Sequence, residues 1–145
     1  MNRRGIWVIL CVSIGALAFG NAAIGGSEGA KAPVASKPIK VEKAKGAGAY
    51  TVAEIYGMAA KLDKKTVVVR GKVVKVSKGI MGKNWVHLRD GSGDSGKGTN
   101  NLVVTTQDVP KVGEVVTAKG TLYKDKDFGA GYKYKVIIEE ATVKP

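Results

Sequence analysis

The feature that most constrains the fold is a run of mostly β-branched residues at positions 66–76 (TVVVRGKVVKV). Such side chains fit the pleated surface of a sheet and are crowded in a helix. Gly71 lies in the middle of the run, where a strongly bent strand can do without a side chain. The pattern therefore predicts one long, curved β-strand that any fold of this chain has to accommodate.

Four further segments have the composition of strands, and loops rich in glycine or charge separate them. These segments are residues 85–89, 102–106, 114–123 and 132–139, and the main loops are 77–84, 90–100 and 124–131. The chain has 20 glycines and only 6% aromatic residues, which also favours short strands joined by many turns. We therefore expect a mainly β domain with five strands.

One helix is predicted before the first strand. Thr51 and Glu54 have the spacing of a capping box, in which each side chain accepts a hydrogen bond from the other residue's backbone amide. Apolar residues then recur at helical spacing between Ile55 and Leu62, and Asp63 ends the pattern. The apolar stripe indicates a helix that packs on the sheet, with Met58 in the core.

The first residues are typical of an export signal. Arg3 and Arg4 precede an apolar run at 6–19, which is shorter than the roughly 20 residues of a membrane-spanning helix. Small residues follow, so we expect a signal peptide over residues 1–22; cleavage after Gly20 and a retained signal anchor are the alternatives. The mature chain is then periplasmic or secreted, without stable membrane insertion after cleavage.

The residues after the signal peptide predict a linker followed by one folded domain. Residues 23–49 are rich in Gly, Ala, Ser, Pro and Lys and have no periodic apolar face, as in a flexible basic linker. Residues 50–145 remain as the folded domain.

Few residues are suited to catalysis or metal binding. The chain has one histidine, His87, and one cysteine, Cys11, which lies inside the expected signal peptide. Together they are too few for an all-protein zinc, iron–sulfur or copper site, and no nucleophile signature is present. Residues 90–94 have the first oxygens of a calcium loop but lack its sixth-position glycine and twelfth-position glutamate. We expect a non-enzymatic protein without a metal or cofactor.

Several short motifs resemble those of OB-fold domains of the tRNA-anticodon type: Val69–Val73 (VRGKV), Trp85–Gly93 (WVHLRDGSG), Val112–Val116 (VGEVV) and Lys119–Leu122 (KGTL). Ser92 stands where the family motif usually has threonine. The segment 126–136 further resembles small exported bacterial OB-fold proteins, often described as nucleic-acid binding and sometimes associated with multihaem cytochromes. The resemblance covers residues 51–143. It implies a five-stranded Greek-key barrel with one N-terminal helix and a ligand face on strands two and three.

The second strand supplies the central candidate site residues. Alternation places Trp85, His87 and Arg89 on the face opposite Val86 and Leu88. If they point outward, Trp85 offers a stacking surface for a base and Arg89 a contact for phosphate. In the alternative arrangement, Trp85 packs beneath the loop around residue 80 and His87 makes a cross-strand pair.

Basic side chains are expected around this face. The chain has 24 Lys+Arg against 12 Asp+Glu, a net charge of +12, which attracts polyanions in a salt-dependent way. The candidates are Arg70, Lys72, Lys75, Lys78, Lys83, Lys124 and Lys126. Aspartates are interleaved with them, so a solvated lysine-rich surface is the other explanation.

These observations give a leading hypothesis and a rival. The leading hypothesis is an exported binding protein that engages an anionic extended ligand, such as single-stranded nucleic acid. Its site residues are Trp85, His87, Arg89, Arg70, Lys72, Lys83, Lys124 and Lys126. The rival is a protein-interaction module that docks on an envelope or extracellular partner such as a multihaem cytochrome. A small-molecule or metal-responsive stress protein has the least support from the residues.

Overall fold

The computed structural model of this chain describes residues 37–145. The expected signal peptide and the first part of the expected linker lie outside the described residues. The elements are α1 Val52–Gly57, α2 Ala59–Leu62, β1 Thr66–Ile80, β2 Lys83–Arg89, β3 Leu102–Thr106, β4 Val115–Asp127 and β5 Lys133–Lys144. A mainly β domain with five strands is therefore confirmed.

The five strands form one sheet whose hydrogen bonds run in a closed ring. The order is β1-β2-β3-β5-β4, and β4 pairs with β1 to complete the ring. Only β3 and β5 pair in parallel; the other neighbouring strands are antiparallel. β1 pairs with β4 over residues 66–72 and with β2 over residues 72–80. At Gly71 an added Cβ would lie 3.2 Å from Leu88 Cβ, so the strand lacks a side chain where it comes close to β2.

The main hydrophobic core fills the inside of this ring. Alternate residues of each strand point inward and are fully buried, among them Val67, Val69, Val73, Val86, Leu88, Leu102, Val104, Leu122 and Ile138. Val52, Ile55 and Leu62 of the two helices complete the same cluster. Each such side chain contributes roughly 1.5–3 kcal/mol through removal from water, so this cluster accounts for most of the driving force for folding.

The helical segment begins as expected and then breaks. The Thr51 hydroxyl accepts from the Glu54 amide at 3.1 Å, and the Glu54 carboxylate accepts from the Thr51 amide at 2.7 Å, so the capping box is confirmed. Met58, with φ −111° and ψ 14°, separates α1 from α2, directly after a glycine that favours helix poorly. Among residues 37–145, no helix is long and apolar enough to cross a membrane.

Four strands, β1, β2, β4 and β5, are longer than the sequence predicts. β1 continues to Ile80, so the expected loop at 77–84 shrinks to a turn at Met81 and Gly82, both with positive φ. β4 continues through the charged residues 124–127, where Lys126 pairs with Tyr134 of β5. Cross-strand pairing in these two hairpins outweighs the local preference of charged and glycine-rich residues for turns.

Residues 37–49, which we call the N-terminal strap, lie along the outside of the sheet. The Val41 amide donates to the Asp90 carbonyl at 2.9 Å, and the Val68 amide donates to the Gly48 carbonyl at 2.8 Å. Ala49 forms a short parallel bridge with Val68, on the part of β1 that β2 does not reach. The described part of the expected flexible linker is thus held against the domain by backbone hydrogen bonds.

Candidate functional site

Trp85 lies on the outer side of the ring, as the alternation along β2 predicts, but it is not exposed. Its relative exposure is 3%, and its indole Nε1 donates to the Ile80 carbonyl at 2.9 Å. The open stacking surface considered for this residue is therefore absent. The other arrangement, with Trp85 beneath the segment around residue 80, is the one observed.

Three aromatic side chains from the β4–β5 hairpin cover Trp85. Its ring centroid lies 5.2 Å from that of Phe128, 5.6 Å from Tyr134 and 5.9 Å from Tyr132. We call these four rings the aromatic cap. Beneath it, Val103 and Ile137 are also buried on the outer side of the sheet. The cap therefore closes a second, smaller hydrophobic cluster on the face where a ligand was expected.

Three of the expected ligand-binding lysines already have acidic partners. Lys83 and Lys126 lie 3.1 Å and 3.2 Å from opposite oxygens of Glu139, whose side chain is 8% exposed. The Lys126 ammonium also lies 4.6 Å from the centroid of the Tyr123 ring. Lys124 lies 3.1 Å from the Asp125 carboxylate. A buried carboxylate requires such compensation, so Lys83 and Lys126 neutralise the charge of Glu139 beside the aromatic cap.

The remaining basic residues of the site lie together on the outer face of β1 and β2. Lys72 pairs in register with Arg89, and Lys75 pairs with His87. Arg70 precedes them on the same face of β1, and its Nη1 lies 3.5 Å from the Glu42 carbonyl oxygen. Among residues 37–145, none of these four cations takes part in an ion pair. We call Arg70, Lys72, Lys75 and Arg89 the basic strip.

A β-bulge brings the two lysines of the strip to the same face. Lys72 and Lys75 are three residues apart, so a regular strand would point them to opposite sides. The register with β2 shifts between Val73 and Lys75, which leaves Val74 as the extra residue. The bulge therefore adds Lys75 to the outer row; Lys78, further along β1, is exposed near the next irregularity.

His87 lies half-buried beside the basic strip. Its Nδ1 lies 3.0 Å from the Asn101 Nδ2, which donates to it when the ring is neutral and carries its proton on Nε2. The backbone carbonyl of Asn101 accepts from the Tyr56 hydroxyl at 2.6 Å. Burial, and then the positive charges of Lys75 and Arg89, hold the pKa of His87 below its ordinary value.

We expect His87 to titrate below the pKa of about 6.5 that an unperturbed histidine has. Because the folded-state pKa is lowered, neutral His87 stabilises the fold above the unfolded pKa, and this contribution is lost as pH falls through the folded pKa. The chain has a single histidine, so its ring resonances in an NMR titration report this pKa directly. Lys75→Ser should raise the pKa, whereas Lys133→Ser, which removes a lysine paired with Asp127, should not. A pKa at or above the ordinary value would contradict the placement of His87.

The DGSG motif after β2 has a structural role. Asp90 is buried, and its carboxylate accepts from the Val52 amide at 2.9 Å and from the Ser92 amide and hydroxyl at 2.9 and 2.6 Å. The Ser92 hydroxyl accepts from the Ala53 amide at 2.9 Å. The motif thus caps the start of α1, 38 residues earlier in the chain.

The calcium-like spacing at 90–94 does not bring free carboxylates together. The Asp90 carboxylate is used as described above, and Asp94 Oδ1 accepts from the Gly96 amide at 2.7 Å. In the described part of the chain, no group of three or more His, Cys, Asp or Glu side chains is placed to hold a metal ion.

Comparison with known proteins adds no assignment for this site. No model of a known protein family matches the chain, and no curated protein matches it in sequence.

Proposed function

We propose that the closed five-stranded ring is an OB-fold. The support is the strand order β1-β2-β3-β5-β4 with β3 and β5 parallel, together with the positions of the resembling motifs. Gly71 lies where β1 changes partner from β4 to β2, and a Cβ at Gly120 would come within 3 Å of β5. Export of the mature domain is part of the same proposal and rests on the pattern of residues 1–22.

We further propose that the domain is a non-enzymatic binding module for an extended polyanion, such as single-stranded nucleic acid. The observation that carries this proposal is the basic strip: its cations lie side by side and are unpaired among the described residues, whereas Lys83, Lys124 and Lys126 are paired. Neighbouring strands are about 4.8 Å apart, so the strip presents closely spaced charges to one backbone.

The mode of binding differs from the one that the sequence suggests. The aromatic cap leaves no ring face of Trp85 for a base, so recognition depends on phosphate charge and carries little base preference. Affinity should therefore fall steeply as salt is added, because binding releases condensed counterions. His87 lies beside Lys75, and its ring can donate a hydrogen bond to a phosphate. The ring adds positive charge only when it is protonated.

The test is the salt dependence of oligonucleotide binding by the mature chain. The double variant Lys72→Ser with Lys75→Ser should weaken binding and reduce the slope of log K against log salt by roughly 1.4, since each phosphate contact to a single strand contributes about 0.7. The matched control, Lys124→Ser with Lys133→Ser, removes the same charge from lysines paired with Asp125 and Asp127. Equal slopes for the two double variants would mean that bulk charge, and not the strip, attracts the strand.

A protein partner in the cell envelope, such as a multihaem cytochrome, is the second candidate. Val109 and Val112 in the β3–β4 loop are 55% and 65% exposed, and this second candidate takes them as its apolar contacts. Val109→Ser with Val112→Ser should abolish capture of such a partner and leave oligonucleotide binding unchanged.

A further inference from the structure

A cleft of about 300 Å³ lies between the N-terminal strap and the loop that joins β2 to β3. The side chains that define it are Lys37, Arg89, Ser92, Ser95 and Asn100. This volume is at the lower end of the range for sites that take small molecules. The cleft lies at the Arg89 end of the basic strip but is a separate, concave feature.

The strap forms a fixed wall of this cleft. Gly91 has φ +92°, and a Cβ at this residue would overlap with the carbonyl oxygen of Ile39. The Val41 amide, two residues further along the strap, donates to the Asp90 carbonyl. Only glycine permits the strap to cross the loop at this point, so the close approach that forms the cleft requires Gly91.

The cleft favours an anion. Lys37 and Arg89 contribute positive charge, and no aspartate or glutamate lines the cleft. Among the described residues, neither cation takes part in an ion pair. Two carboxylates adjoin the cleft residues in sequence. That of Asp90 is turned toward the start of α1 and is occupied by three hydrogen bonds, and Asp94 Oδ1 accepts from the amides of Gly96 and Lys97.

We propose that this cleft binds a phosphate monoester, carried either on a small molecule or on the end of a nucleic-acid strand. The planar guanidinium of Arg89 can form two parallel hydrogen bonds to phosphate oxygens, and Lys37 adds a second charge. Ser95 and Asn100 contribute uncharged donors. This site goes beyond the polyanion surface, because it selects a terminal group and does not require binding along the strip.

The test is an NMR titration of the 15N-labelled mature chain with adenosine 5′-monophosphate, adenosine and inorganic phosphate at constant ionic strength. The monophosphate should shift the amide resonances of Gly91, Gly93 and Ser95 saturably, and adenosine should not. Ser95→Asp places a carboxylate in the cleft and should weaken this binding about tenfold, because like charges repel. Ser95→Asn, of similar size but uncharged, should retain most of it.

Two oligonucleotides of the same sequence, with and without a 5′-phosphate, identify the source of the phosphate. Tighter binding of the phosphorylated strand supports a strand end, and equal affinities of the two strands together with saturable binding of adenosine 5′-monophosphate support a small molecule. Equal affinities for inorganic phosphate and the monophosphate would overturn recognition of a monoester. The proposal is overturned if no phosphate probe shifts these amides saturably, or if Ser95→Asp binds as tightly as Ser95→Asn.

The variants of the strip separate this site from the proposed function. Lys72→Ser with Lys75→Ser should leave the response to the monophosphate in place, which supports a cleft independent of the strip. Loss of that response in this double variant would show that binding in the cleft depends on the basic strip, which overturns the proposal of a separate site. If oligonucleotides fail to bind while the monophosphate still shifts Gly91 and Gly93, the polyanion proposal fails and the cleft stands.

Discussion

Replacing Trp85 with alanine should lower the free energy of unfolding by about 3–5 kcal/mol, the usual cost of deleting a buried aromatic side chain. The indole is 3% exposed and packs against three other rings, and its Nε1 bonds to the Ile80 carbonyl. Its removal opens a cavity above Val103 and Ile137. Chemical denaturation of residues 23–145, followed by far-ultraviolet circular dichroism, measures the loss.

The fluorescence of Trp85 provides an independent test of its burial. The chain has two tryptophans, Trp7 and Trp85, so Trp85 is the only tryptophan in a protein made of residues 23–145. A buried indole should emit at short wavelength and resist quenching by acrylamide. Trp85→Phe keeps an apolar ring and should lose less stability than Trp85→Ala. An alanine variant that keeps wild-type stability but loses oligonucleotide binding would show that Trp85 is a ligand surface after all.

The side on which Trp85 lies could be predicted, and its burial was one of two arrangements that the sequence left open, but the rings that cover it could not be identified. Alternation along β2 depends only on neighbouring residues and places Trp85 opposite Val86 and Leu88. Burial depends on Phe128 and Tyr134, which come from a hairpin far along the chain. Alternation therefore predicts which side of the sheet a residue is on, but it does not predict exposure where a hairpin from a distant part of the chain covers the outer side.

The same limit applies to the ion pairs of the basic residues. A sequence shows that Lys83 is charged but not that it meets Glu139, 56 residues away. Likewise, strict alternation would separate Lys72 from Lys75, and only the bulge at Val74 unites them. The capping box at Thr51, in contrast, uses residues three apart and could be predicted in full.

The strip and the cleft meet at Arg89, so a ligand that occupied both of these proposed sites would bind in one orientation. Arg89 lies beside Lys72 in the sheet register and also lines the cleft. A strand whose terminal phosphate occupies the cleft would have its following phosphates directed along β1 toward Lys75. Binding of a phosphorylated end and binding along the strip should therefore reinforce each other, because the second contact is then intramolecular.

Gly120→Ala should lower the free energy of unfolding by about 3 kcal/mol, at the upper end of the usual cost of overpacking. An added Cβ would lie 2.7 Å from Ile138 Cγ2, 2.8 Å from the Glu139 carbonyl oxygen and 2.9 Å from Ala141 Cα. Two of these neighbours are backbone atoms, which cannot move aside as the end of a flexible side chain can. The register of β4 with β5 shifts at this point, and Glu140 has φ +52°, so the bulge of β5 packs directly on Gly120.

The effect should extend beyond β4, because the same bulge anchors the parallel pairing of β3 with β5. The Thr106 hydroxyl donates to the Ala141 carbonyl at 2.6 Å, within the irregular part of that pairing. Amide exchange in β3 should therefore accelerate in Gly120→Ala. The matched control is Gly57→Ala, where no atom lies within 4 Å of the added Cβ. This control should stabilise the protein by about 0.4–1 kcal/mol, because alanine restricts the unfolded chain. Equal stabilities for the two variants would mean that β4 and β5 are not in close contact at Gly120 and that the ring is open there.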